Sequence, residues 1–354
     1  MNLLKGQRGV CAAGHPLTAA AGRKAFEAGG NAVDAAVAAQ LMATVAEPLL
    51  TGLGGGGVAM VKRGSSCKVL DFFSDRPGLG PSRPLAPLEH VDVHFGVDVQ
   101  RFSYGVSSIA VPGMIPGLWA LHQEGGRLPL PLMARWAADV ADQGLEVSDG
   151  LSKSIKALAP ILERDDYLRP KFFTESGGEL TLAITGHRYA LPELSETMMR
   201  WASGGPQELF SGDSLDALLE TLGEFAPLNI HDLNAYAVQW REPLYTELKS
   251  SVQPAQLWTP ALPSQGGVQI SALLQSVAHR LLMSREEGGV EPLGSKAVSL
   301  IADAMRELEE SKGSDWPRAL VSKEAGNVWR SQLGFTTHLS TYDAEGNAVG
   351  ITSS

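Results

Sequence analysis

The chain is short of cysteine, of basic charge and of long apolar runs, and each shortage narrows what it can be. Cys11 and Cys67 are its two cysteines in 354 residues, too few for a disulfide framework or a cysteine metal cluster. Acidic side chains outnumber basic ones, for a formal net charge of −10, which argues against nucleic acid and anionic membranes as partners. No stretch supplies the roughly 18 apolar residues of a spanning helix. The nearest, Ala32 to Leu50, is broken by Asp34, Gln40, Glu47 and Pro48. The first residues lack a long apolar core of the secretory kind, so no signal peptide is read and the sequence points to the cytoplasm. Gly-Lys-Ser/Thr is also missing, which excludes a P-loop. An apolar content of 44% is ample for the core of one large domain or two small ones. No internal repeat is visible.

Residues 16 to 28 read as a helix, with Pro16 in its first turn and Gly29-Gly30 as the stop. Asn31 caps a second, alanine-rich helix running to about Val45, with Asp34 well placed in its first turn. Gly52, Gly54 and Gly57 formally satisfy G-x-G-x-x-G, but a helix precedes them and a strand pattern, Val58 to Lys62, follows. A dinucleotide fingerprint needs the reverse order, so the glycines read as a loop whose backbone approaches something closely. A hairpin with Gly64-Ser65-Ser66 at its tip returns through Val69 to Phe73.

Pro77 to Ser107 reads as a long surface excursion. His90, Asp92 and His94 within it would share one side of a strand, as a metal ligand set or as a solvated polar face. A helix follows Val111-Pro112-Gly113, apolar residues recur at helical spacing over 132–142 and 147–162, and the chain looks largely helical from Leu151 to Leu222. His122, His187, His231 and His279 are scattered and read as structural or surface residues. A turn at 229–236 leads into a strand pair, Ala237 to Arg241 and Leu244 to Lys249, then a helix from Val268 to Leu282, an amphipathic helix at 294–311 and a polar segment at 313–332. Residues 336 to 342 and Ala348 to Thr352 then form a β-hairpin around turn chemistry at Asp343 to Asn347. Two threonines and a histidine open that hairpin with no cap or turn logic that asks for them.

Thr336-Thr337-His338-Leu339-Ser340, the Asp343-x-x-Gly346-Asn347-Ala348-Val349 turn and the Thr352-Ser353-Ser354 end resemble the start of the small subunit of the γ-glutamyltranspeptidase family. Gly29 to Ala38, the glycine run at 52–57, Val111-Pro112-Gly113, the 229–236 turn and Pro260 to Gly267 extend the resemblance over roughly residues 6 to 354. It implies an α+β fold, the N-terminal-nucleophile hydrolase four-layer αββα sandwich, incomplete at the C-terminus. It implies a large-subunit part, residues 1–335 with a helical region at about 115–225, and the truncated start of the small catalytic subunit, residues 336–354. The chain would cut itself between Phe335 and Thr336 and use Thr336 as nucleophile, with Ser354 positioning and helping to activate it. The glycine run would pack beside the catalytic strand.

That chemistry suits the residue types. A threonine hydroxyl is a weak nucleophile without a base, and an N-terminal residue carries its own, an α-amino group of pKa roughly 7.7–8.0. No metal or other cofactor is needed. The implied partners are a small-molecule amide, with γ-glutamyl amides such as glutathione leading, and the remainder of the small subunit. One departure is chemical. The family's pattern Asp-Phe-Arg-Glu holds the substrate's α-carboxylate on its arginine, a task for a bidentate guanidinium, whereas Phe73 and Ser74 stand at the last two places here. Arg76 is a possible substitute, but a shift of three strand residues moves a side chain about 10 Å. An apolar Phe73 points to a substrate whose recognised end is less anionic. The alternatives are an acylase on a different amide and an unprocessed, non-catalytic fragment, and this chain alone is expected to be inactive.

Overall fold

The computed structural model describes residues 8–82, 84–176, 179–248, 255–262, 264–286, 294–311 and 336–354. The segment at 313–332, Lys249 and Phe335 lie outside the described residues. Two compact units emerge, one of Met1–Gly64, Leu70–Gln239 and Leu333–Ser354, the other of Ser65–Val69 and Trp240–Gln332.

In the first unit, strand β1 (Gly9–Ala13) leads into helix α1 (Pro16–Glu27), and α2 (Ala32–Ala46) follows. His15 caps α1, its Nδ1 accepting from Leu17 N at 3.2 Å. The helix ends as the sequence predicts. Gly29 takes φ +93°, and the N–H groups of Gly29 and Gly30 reach back to the carbonyls of Phe26 and Ala25, the paired closure that only a residue free of Cβ makes without strain. Asn31 and Asp34 form a reciprocal capping box at the start of α2. Every residue of α2 is buried, and its many alanines let neighbours approach its backbone closely.

Strand β2 (Gly57–Arg63) follows the glycine run, and β3 (Ser66–Phe72) follows the hairpin turn. The hairpin of strands Thr337–Asp343 and Ala348–Ser353 lies inside the sheet, not at its edge: the order is β1, 337–343, 348–353, β2, β3. The hairpin strands pair antiparallel with each other and with β1 and β2, with Gly9 opposite Asp343, Thr337 opposite Ser353 and Ser353 opposite Gly57. Alternation sends Thr337, Leu339, Thr341 and Asp343 inward and His338, Ser340 and Tyr342 outward. The inner face meets α2, where Thr341 Oγ1 donates to Ala32 O at 2.8 Å. This helix layer on a sheet supplies an α and a β layer of the αββα architecture.

Further helices, Met114–Gly125, Leu130–Gln143, Asp149–Leu162 and Pro192–Gly204, extend the same core. Trp201 is fully buried, its Nε1 donating to Ile115 O at 3.1 Å. In the second unit, strands Leu244–Leu248 and Ala255–Thr259 pair, and helices Gln265–Glu286 and Ser295–Ser311 pack on each other.

Three expectations need correction, and a further one, the largely helical stretch, holds with an interruption. The excursion at 77–107 contains a strand pair, Glu89–Phe95 with Asp98–Tyr104, turning at Gly96, and its Val91 and Val93 are buried. The stretch from 151 to 222 is interrupted by the pair Phe173–Ser176 with Glu179–Leu182. Gln239–Arg241 does not pair with Leu244–Leu248, which takes Ala255–Thr259 instead. The helix expected from Val268 begins at Gln265 and runs to Glu286. Among the described residues no helix is long and apolar enough to cross a membrane.

Candidate active site

Thr336 and Ser354 meet at the open end of the 337–353 hairpin. Thr337 and Ser353 face each other in register and point inward, so pleating turns the next residues outward. Thr336 and Ser354 are both exposed, with Oγ1 of one 3.0 Å from Oγ of the other. Either hydroxyl can donate.

The glycine run holds Ser354 by its backbone. Gly56 N–H donates to Ser354 O and Ser354 N–H donates to Gly56 O, each at 3.0 Å. A Cβ on Gly55 would fall 1.7 Å from that same Ser354 oxygen. Gly55 O also accepts from the N–H groups of Gly113 and Met114. Gly55, Gly56 and Gly57 are therefore required by close approach of backbones, as the sequence suggests for the run, whereas a Cβ on Gly52 or Gly54 would meet nothing within 4 Å. On its other side Gly56 backs onto the 72–74 segment, since a Cβ there would lie 2.4 Å from Ser74 N and 2.8 Å from Ser74 Oγ. The site thus connects to Phe73-Ser74 through one glycine. Phe73 is 52% exposed, and its carbonyl is held by Tyr236 Oη at 2.9 Å. Arg76 is exposed and lies beyond the bridge between Asp75 and Val111.

Behind this pair lie buried polar groups. Glu47, at the end of α2, is 6% exposed and accepts from Thr18 Oγ1 and Thr337 Oγ1, both at 2.7 Å. Gln40, Thr51 and Ser353 close a ring: Ser353 Oγ donates to Gln40 Oε1 at 3.1 Å, Gln40 Nε2 donates to Thr51 Oγ1 at 3.2 Å, and the two hydroxyls are 3.0 Å apart. In the sequence Gln40 and Glu47 registered as breaks in an apolar run. The signal that reveals more is their setting: polar side chains within a helix buried all round must find partners, because burying them unpaired is costly.

On the outer face, His338 bridges Thr352 Oγ1 at 2.8 Å and Ser340 Oγ at 2.9 Å. Partial burial pushes its imidazole below the ordinary value. Burial does the same to His15, against the opposing pull of Glu47. At the hairpin turn, burial raises the Asp343 carboxyl, but the Asn347 side chain and the backbone N–H groups of Asn347, Ala32 and Glu345 outweigh it and hold the group below its usual range. His90, Asp92 and His94 do share an exposed strand face, but Asp92 is engaged by Arg101 through two bonds of 2.7 and 2.9 Å. Among the described residues no group of three or more His, Cys, Asp or Glu stands in metal-binding proximity. His122 Nε2 bonds Leu128 O at 2.8 Å, a structural contact.

Chemically, an exposed hydroxyl with a second hydroxyl in bonding distance, on a rigid central strand, is an arrangement suited to nucleophilic attack once a base is supplied.

The chain matches, over residues 18–354, the family described as Gamma-glutamyltranspeptidase. It is 28% identical to an acylase ACY 1 proenzyme of Pseudomonas sp. (strain V22), covering 98% of this chain and 65% of that protein. It is 26% identical to a glutathione hydrolase proenzyme of Pseudomonas aeruginosa, covering 92% of this chain and 60% of that protein. The chain therefore spans somewhat under two thirds of the length of these relatives. Among solved structures, a Helicobacter pylori gamma-glutamyltranspeptidase superposes with a TM-score of 0.73 at 22% identity, over 91% of this chain and 88% of that one, a likeness of fold.

Proposed function

This chain belongs to the gamma-glutamyltranspeptidase family, and we propose that it is part of a self-processing N-terminal-nucleophile amidohydrolase or acyltransferase. In this reading the chain is cut between residues 335 and 336, dividing a large-subunit part from a small catalytic part that begins at Thr336. The freed α-amine takes the Thr336 hydroxyl proton as Oγ1 attacks the carbonyl carbon of an amide. The proton passes to the departing amine, leaving an ester on Thr336. Water or an acceptor amine then attacks the ester, releasing the acid or the new amide and returning the proton to Oγ1. Ser354 orients the attacking oxygen through its hydroxyl. The reading rests on one observation above others, the 3.0 Å contact between Thr336 Oγ1 and Ser354 Oγ on the exposed end of the hairpin.

A γ-glutamyl amide such as glutathione is the first substrate class, supported by likeness to the glutathione hydrolase relative. An acylase acting on another amide is the second, favoured by the exposed Phe73 where the family's arginine stands and by the 28% identity to an acylase proenzyme. Intact-mass measurement of the full-length protein tests the shared chemistry. Two fragments meeting before Thr336 are expected, with Thr336→Ala yielding a single uncut chain and no amide turnover. An uncut wild-type chain that turns over amides normally would refute it. Rates on γ-glutamyl-p-nitroanilide and glutaryl amides separate the two substrate classes.

A further inference from the structure

We infer that Glu47 and Gln40 are positioning residues that set the separation of Thr336 and Ser354 by anchoring the strand rung directly behind them. The inference rests on the reading of Thr336 as nucleophile. That rung is Thr337 opposite Ser353, both buried. Glu47 holds Thr337 at one end and Gln40 holds Ser353 at the other. Both holders come from α2 or its C-cap, so a single rigid element governs both sides of the rung.

Each holder is itself fixed. The second oxygen of Glu47 is occupied by Thr18 on α1. Gly14 leaves no slack, since a Cβ there would come within 2.6 Å of Glu47 Oε2 and 3.3 Å of Thr337 Oγ1. The Gln40 amide bonds at both ends, to Ser353 and to Thr51. Thr51 opens the glycine run whose Gly56 clasps the Ser354 backbone. Thr336 and Ser354 therefore inherit their geometry from neighbours whose side chains point the opposite way. Buried hydroxyls on these inward positions cost desolvation that an apolar pair would avoid. They supply direction in return, because a hydrogen bond fixes a position and packing alone fixes it less tightly. A displacement of about 1 Å in a reacting group can slow a reaction on the order of a hundredfold.

The test uses the full-length protein. Chain cleavage and amide turnover are measured for Thr337→Val and Gln40→Leu, each alone and combined with Ser354→Ala, with thermal midpoints recorded throughout. Losses of about tenfold to a hundredfold in cleavage rate and kcat are expected from the single variants, with KM changed less than about threefold. In the Ser354→Ala background the same substitutions are expected to cost much less, because the pair whose spacing they set has already lost one hydroxyl. Thr337→Ser, which restores the hydroxyl, is expected to recover most of the rate. If Thr337→Val fails to fold, Ser353→Ala probes the same rung with a smaller change. Folded variants that cut at wild-type speed, or losses that multiply in full on Ser354→Ala, overturn the inference alone. A wild-type chain that neither cuts nor turns over amides overturns the nucleophile reading, and this assignment with it.

Discussion

The carbonyl oxygen of Ser354 lies where the side chain of any residue but glycine at position 55 would begin, 1.7 Å from an ideal Cβ on Gly55. That obstacle is backbone, so relief requires moving the loop or the strand. Gly55→Ala is expected to destabilise the protein by about 1–3 kcal/mol, as overpacking does, and to suppress chain cleavage further than the stability loss explains. Gly52→Ala, whose Cβ would meet nothing within 4 Å, is the control. Denaturant titration and a cleavage time course check both. Equal behaviour of the two variants would remove the role given to close approach.

Asp343 gathers four donors at the hairpin turn: Ala32 N–H and Asn347 Nδ2 on one oxygen, Glu345 and Asn347 N–H on the other, at 2.9 to 3.1 Å. Asp343→Ala strands donors that water reaches poorly and is expected to cost about 1–3 kcal/mol at neutral pH. Because the folded-state pKa is lowered, the carboxylate's stabilisation is complete above the unfolded value of about 3.9 and disappears as pH falls through the folded value. The gap between wild type and Asp343→Ala in urea unfolding should therefore narrow below pH 4. A gap independent of pH would show that the charge is not what the turn binds.

His338 should titrate below the usual imidazole midpoint of 6.5, since burial disfavours its charged form. A lowered histidine pKa means that the unfolded chain binds the proton first. Its contribution to stability is thus full above the unfolded value and is lost as pH falls through the folded one. Nuclear magnetic resonance of the ring proton, assigned with a His338→Gln variant, reads the midpoint directly. A midpoint at or above 6.5 contradicts the partial burial and the bridge to Thr352 and Ser340.

Phe73→Arg is the test of substrate class. A guanidinium at this exposed position would offer an α-carboxylate a charged, two-pronged partner. Such bonds contribute about 1.5–3 kcal/mol, so kcat/KM for γ-glutamyl-p-nitroanilide should rise roughly tenfold or more relative to a glutaryl amide. An unchanged ratio would separate Phe73 from substrate recognition.

Much of this was legible in the sequence because it is local. Pro16, Gly29-Gly30 and Asn31 mark ends that depend on residues within one or two helical turns, and α1 and α2 follow them closely. The hairpin at 336–352 announced itself through alternation and turn residues. Thr336 and Ser354 were named from motif resemblance, and their approach to 3.0 Å needed only the register of one hairpin. Glu47 and Gln40 were hidden for the opposite reason. Their partners, Thr337 and Ser353, are 290 and 313 positions away, and a polar residue viewed alone in an apolar run reads as an interruption. The strand at 244–248 was misassigned because its nearest neighbour in sequence, 239–241, was taken as its partner. The 89–104 pair was obscured by the prolines and glycines before it, although Val91 and Val93 alternate with polar residues as a half-buried strand does.

The placement of the 337–353 hairpin between β1 and β2 has a consequence for what a cut before Thr336 leaves behind. The new fragment would begin with a hairpin whose first strand is laced to β1 and whose second is laced to β2, so severing one peptide bond would release nothing. The halves remain one body for as long as the sheet survives, and their divorce requires melting it. In the self-processing reading, the buried rung behind the reactive pair gains its anchors only when the hairpin docks on α2, which would make correct assembly the timer for self-scission.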